Sequence, residues 1–233
     1  MEMIRRCLFF VLLMLTVTAV KAQSNWSESF YTKYTCANYA KYKPFLAVID
    51  LDNIDYPLLN AALFYETNLQ RKRQGIPTLK HLSALEHVAQ GHSQDMVEQN
   101  FFSHRSTVQG KHSMVDRFKK EGIKFSVCSE NIAYNMVYPV ENKSFYPPSV
   151  NGGYFSFEYK GEPLKVMTYQ FFARQMVRQW MNSSGHRKNI LDKEANYLGC
   201  GTCLMLFSNP DRIPRIYGTQ NFCSLLSDSE NIE

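Results

Sequence analysis

The chain has 233 residues, 45% hydrophobic and 20% charged, with a formal net charge of +5. That composition is that of a globular protein with one sizeable domain and a short extension at most. Taking off a basic leader (Arg5, Arg6 and Lys21 against Glu2) lowers the charge to +3, too mild to argue for nucleic acid or an anionic membrane as partner.

The leader is legible at the start. Arg5 and Arg6 precede an apolar run from Cys7 to Val20, and Val20-Lys21-Ala22 closes it with a small residue. The run of 14 residues falls short of the roughly 20 that span a bilayer, so residues 1–22 read as a cleaved signal peptide. The mature protein is then secreted or periplasmic, with no membrane span. Residues 23–53 carry aromatics without periodicity and read as an N-terminal extension to a domain at 54–226, with a tail at 227–233.

A helix is predicted from Pro57, where Leu58, Ala62, Tyr65 and Leu69 recur at helical spacing until Gly75 and Pro77. A second begins at Ser83, whose spacing to Glu86 matches a capping box, and carries Leu85, Ala89, His92 and Met96 as an inward stripe. His92 on that stripe reads as a core side chain with a satisfied hydrogen bond. Ser113 to Asp116 starts a short third helix that Gly122 ends, and residues 123–136 are β-rich. Residues 138–165 are an aromatic insertion, either an elaborated surface loop or a hairpin. Residues 166–181 read as a helix, with Phe172, Met176 and Trp180 in line. A strand near 197–207 then turns at Ser208 to Arg215 and returns through Cys223. Helices and an antiparallel sheet segregated in this way indicate an α+β layered fold.

Five cysteines remain after the leader: Cys36, Cys128, Cys200, Cys203 and Cys223. Cys200-Gly-Thr-Cys203 has redox spacing but sits in a strand pattern, and no second such pair completes a zinc site. Pairing about the terminal turn brings Cys223 back towards Cys200, so a cross-strand disulfide is expected there. Sequons stand at Asn25, Asn142 and Asn182, and they act only in a glycosylating host.

Of the six histidines, His104 follows a helix beside aromatics and His186 follows Gly185, while Glu130 is the most apolar-flanked carboxylate of the middle region. Two imidazoles and a carboxylate can make a zinc site with an open position, or a base with its stabiliser. Spacings of 26 and 56 residues carry no local metal signature. No Gly-x-Ser-x-Gly elbow or cysteine–histidine nucleophile pair is present.

The succession "TNLQRKRQGIPTL", "GHSQDMVEQNFFSH", "DRFKKEGIKFS", "SENIAY", "RQWMNSSGHRKNIL", "YLGCGTC" and "YGTQNF" closely resembles the bacterial branch of the CAP superfamily, or SCP domain. Its relatives include cysteine-rich secretory proteins, antigen 5 and pathogenesis-related class 1 proteins. The resemblance implies a three-layer α-β-α sandwich around a central antiparallel sheet, with a cleft of two histidines and two acids able to hold zinc. By motif position these are His104, Glu130 and His186. The second acid falls at Ser183, a departure that implies weak metal binding or none, with His104 and His186 as the metal ligands that remain. No cofactor is required on this reading. Family activities include sterol or fatty-acid binding, partner binding and claims of proteolysis. The reading is therefore an exported, non-catalytic module whose cleft holds a small ligand, a lipid or a labile divalent ion, with a small hydrophobic ligand or an extracellular protein as partner. The alternatives are a metal-assisted hydrolase or protease using the same cleft, and a buried polar network that only fixes the fold. The insertion would supply a recognition surface or a flap on the core.

Overall fold

The computed structural model describes residues 24–226, so the leader and the tail lie outside the described residues. The N-terminal segment forms α1 (Phe30–Lys33) and two 3-10 turns at Tyr39–Lys41 and Lys43–Leu46. Trp26, Tyr39, Phe45 and Ile49 are buried and join the same core cluster as the helices that follow.

Asp55 starts α2 (Tyr56–Arg73) by accepting a hydrogen bond from the Leu58 amide at 3.1 Å, with Pro57 in the first turn. Gly75, at φ 68°, ends it where a side chain would be strained. After β1 (Lys80–His81) comes α3 (Ser83–Glu98), whose predicted stripe of Leu85, Ala89, His92 and Met96 is wholly buried. The expected capping box is not formed, because Ser83 bonds Glu28 instead, and Glu86 is held by His81 at 2.5 Å and Tyr31 at 3.0 Å. The box does form one helix later, at α4 (Met114–Lys120), between Ser113 and Asp116.

β2 (Phe125–Met136) leads into the insertion, which is an elaborated loop with isolated bridges Tyr146 to Ser156 and Ser156 to Pro163. It contains one turn of helix, α5 (Pro148–Asn151), and packs about Phe155, which meets Tyr138 and Phe145. Asn151 is fully buried and bonds the Ser156 hydroxyl and the Tyr154 carbonyl. Tyr146, Val150, Phe157 and Tyr159 stay exposed. α6 (Tyr169–Asn182) follows, then α7 (Ser184–Ile190), β3 (Tyr197–Met205) and β4 (Arg215–Leu225).

The sheet runs β1-β3-β4-β2. Its three long strands are antiparallel, as expected, and the short β1 adds a parallel edge to β3. α3 covers one face, while α2 and α6 pack against the strands from the other, giving three layers. The approach of α3 is set by backbone: a Cβ at Gly199 would lie 2.1 Å from the Glu86 amide nitrogen, and one at Gly201 would lie 2.0 Å from that of Gln90. Only glycine admits a helix this close to a strand.

The expected Cys200 to Cys223 disulfide is overturned by register. Cys200 faces Gln220 across the hairpin and Cys223 faces Tyr197. An offset of three residues on one strand puts the two thiols on opposite faces of the sheet. Cys223 instead faces Cys128 on β2, and all five described cysteines are free thiols.

Candidate functional site

Glu130 lies on β2 opposite Asn221 of β4, on the sheet face that α3 covers. Its side chain is 3% exposed, so its charge must be matched by neighbours. Arg117 of α4, equally buried, donates from Nη2 to Oε2 at 2.6 Å. The Asn221 amide, with its nitrogen turned towards Glu130, adds a second donor to Oε2 at 3.0 Å. His104 Nδ1 donates to Oε1 at 2.9 Å. Burial pushes the Glu130 carboxyl up, but the His104 hydrogen bond and the Arg117 charge outweigh it and hold it below the usual carboxylate range.

His104 sits in the loop between α3 and α4, which Arg117 closes by donating from Nη1 to the His104 carbonyl at 3.3 Å and the Lys111 carbonyl at 3.1 Å. Lys111 is tied back to Asp95 of α3, 3.0 Å from both carboxylate oxygens. One buried arginine therefore fixes both the carboxylate and the loop that carries the histidine. With Nδ1 spent on Glu130, His104 turns its Nε2 outward, and its side chain is 55% exposed. Beside it Phe102 lies edge-on to Tyr134 and Tyr217, which stack on each other, giving the site an aromatic flank.

His92 closes the site from behind. Its Nε2 donates to the Ser103 carbonyl at 3.0 Å and stands 3.9 Å from Glu130 Oε1. Burial drops its pKa to about 4, so the ring is neutral. Its Nδ1 has no partner, so the expected core histidine is only half satisfied and borders the site.

His186 arrives from the other side on α7, which wraps the free edge of β2. Asn131 donates to the His186 carbonyl at 3.1 Å, and Asn189 donates to the Glu130 carbonyl at 3.2 Å and to Asn131 Oδ1 at 2.8 Å. The His186 ring makes no hydrogen bond to Glu130 or His104. It is close enough to His104 that, after burial, the charge of that imidazole also lowers its pKa. His104 and Glu130 are thus in direct contact, and His186 is near enough to His104 to feel its charge. Ser183, where the second acid would stand, joins α6 to α7.

These residues do not fit a divalent metal well. Both Glu130 oxygens are taken, one by a guanidinium whose positive charge opposes a cation at the same carboxylate. Two imidazoles remain, fewer than the three protein ligands of a catalytic zinc site. Among the described residues no group of three or more His, Cys, Asp or Glu is placed to hold a metal ion.

Sequence reasoning missed Arg117 and Asn221. Arg117 lies in a charged helix that reads as solvated. A signal did exist for Asn221: Thr219, Gln220 and Asn221 are consecutive polar residues in an apolar strand, and all are fully buried.

The fold is a helix-sheet-helix sandwich with a histidine–glutamate pair at the edge strand of its sheet. The profile of the cysteine-rich secretory protein family (CAP) matches residues 64–204, and the chain belongs to that family. It is 32% identical over 156 residues to the uncharacterized membrane protein YlbC of Bacillus subtilis (strain 168), covering 67% of this chain and 32% of that one. It is 31% identical over 135 residues to the uncharacterized protein YkwD of the same strain, covering 58% and 38%. The chain thus spans about a third of the length of the curated relatives it matches. Among solved structures it is similar to an extracellular protein containing a SCP domain from Bacillus anthracis str. Ames, at 24% identity and a TM-score of 0.48, covering 76% of this chain and 44% of that chain. No helix among the described residues is long and apolar enough to cross a membrane.

Proposed function

We propose that this chain is an exported binding module whose cleft, lined by His104, Glu130 and His186, holds a small ligand without transforming it. The observation that carries the reading is the state of Glu130. Arg117, Asn221 and His104 use both of its oxygens, so the one acid of the cleft is spent on positioning and is withdrawn from service as general base or metal ligand. What the cleft offers a ligand is the outward Nε2 of His104, the His186 ring and the aromatic flank at Phe102. A ligand with one polar end and an apolar body matches that set. The basic and apolar N-terminus ending at Ala22 supports export.

The test has two arms. Native mass spectrometry of the protein recovered from the culture medium or periplasm is expected to show a bound small molecule, lost when His104 and His186 are both replaced by alanine. Calorimetric titration of zinc is expected to give no stoichiometric tight binding. Stoichiometric zinc together with peptide or ester hydrolysis that His186→Ala abolishes would overturn the binding-module reading.

A further inference from the structure

We propose that the chain carries a second binding site, for a neutral oligosaccharide, in the groove between α6, the end of β2 and the start of the insertion. The groove has a volume of about 720 Å³, within the ordinary range for ligand pockets, and holds none of His104, Glu130 and His186; the two sites meet only at Tyr134. Its apolar wall is built by Tyr138 and Phe145, with Met136 and Met167 beside them, and Tyr134 borders it while its ring stays in contact with Tyr217 and Arg215. Five side-chain amides also line the groove: Asn135, Asn142, Gln175, Gln179 and Asn182.

The amides define the ligand. Each presents a donor beside an acceptor, the complement of two adjacent hydroxyls. Asn142, Gln179 and Asn182 make no side-chain hydrogen bond among the described residues. Gln175 uses only its nitrogen, towards Glu141, and Asn135 only its oxygen, towards the Met136 amide. The groove carries one net positive charge, which lies at its rim on the exposed Lys143. Glu141 and Arg178 pair with each other in the wall, and Lys143 turns its ammonium over the Phe157 ring at 4.9 Å. Amides that are free to bond, set beside the Tyr138 and Phe145 rings with a single unpaired cation at the rim, match a sugar chain: its hydroxyls bond the amides and its C–H faces lie on the rings. The site depends on the insertion, which contributes Tyr138, Asn142 and Phe145, and it stands independently of the ligand in the histidine cleft.

The test uses the chain made in a bacterial host, where the sequons at Asn142 and Asn182 carry no sugar. Maltohexaose, cellohexaose, xylohexaose and chitohexaose are titrated in turn, read by saturation-transfer NMR and calorimetry. At least one is expected to bind. Gln179→Ala, at an exposed helix position, is expected to weaken it about tenfold with the melting temperature unchanged. His104→Ala is expected to leave the affinity as it was. Absence of binding by all four at about 5 mM would overturn the proposal. So would unchanged affinity in the Gln179→Ala, Asn182→Ala double variant, or stronger binding of a sulfated hexaose than of its neutral parent. Loss of the histidine-cleft ligand in the previous experiment leaves each of these results readable, since Gln179 and Asn182 lie outside the histidine site and His104 and His186 lie outside the groove.

Discussion

Replacing Arg117 by methionine removes one partner of a buried ion pair and leaves the other. The guanidinium and the Glu130 carboxylate are each 3% exposed and meet at 2.6 Å. A pair of unit charges about 4 Å between centres is worth about 4 kcal/mol at an effective dielectric constant of 20. Breaking such a pair from one side costs about 3–5 kcal/mol. Glu130 keeps its bonds from His104 and Asn221, so the lower end applies, about 3 kcal/mol, or a fall of roughly 6–12 °C in melting temperature for a domain of this size. The sign of the pH dependence follows from the carboxyl. In the parent protein its pKa lies below the ordinary 4.5, so it contributes stability above that pH and loses it as pH falls. Without Arg117 the buried carboxyl gains by protonation, so the difference between parent and variant should shrink as pH falls from about 7 to about 4. Urea unfolding of both proteins at several pH values measures this, and Glu130→Gln in the Arg117→Met background should recover part of the loss. A cost below about 1 kcal/mol near neutral pH, the value of an exposed pair, would refute the argument that Arg117 holds the carboxylate.

Two further outcomes are expected. His92 is held neutral by burial at a pKa of about 4 against an ordinary 6.5, so the unfolded chain binds its proton first on acidification. Stability should therefore fall by about 3 kcal/mol as pH drops through that window, a slope that unfolding curves of His92→Gln should lack. Mild oxidation followed by peptide mapping should join Cys128 to Cys223, which face each other on β2 and β4, and leave Cys200 alkylatable only after unfolding. Recovery of a Cys200 to Cys223 link would contradict the strand register.

The helices with long apolar periodicity were legible because burial of one stripe determines them, as the fully buried Leu85, Ala89, His92 and Met96 show. Local rules misled where tertiary partners competed for the same side chain: Glu86 has the spacing of a capping residue but is taken by His81 and Tyr31. α7 left no periodic signal at all. It has seven residues, includes Gly185, and is bonded to β2 through Asn189. His104, Glu130 and His186 could be nominated by residue type and motif resemblance, since no spacing rule joins positions so far apart. Arg117 was invisible because an arginine in a short charged helix looks solvated until its partner is known. The cysteine pairing failed for a geometric reason, because the terminal turn sets the register and one residue of slip reverses the face.

The position of α7 has a consequence beyond the cleft. β2 is the last strand of the sheet, and such a border leaves amide and carbonyl groups free to recruit a strand from another molecule. Asn189 occupies the Glu130 carbonyl and the adjoining Asn131 side chain, so this short helix caps the border at the residue whose side chain pairs with Arg117 and His104. The segment that delivers His186 thus also caps part of an open sheet border, so a lesion that loosens α7 is expected to show as self-association of the protein as well as displacement of His186.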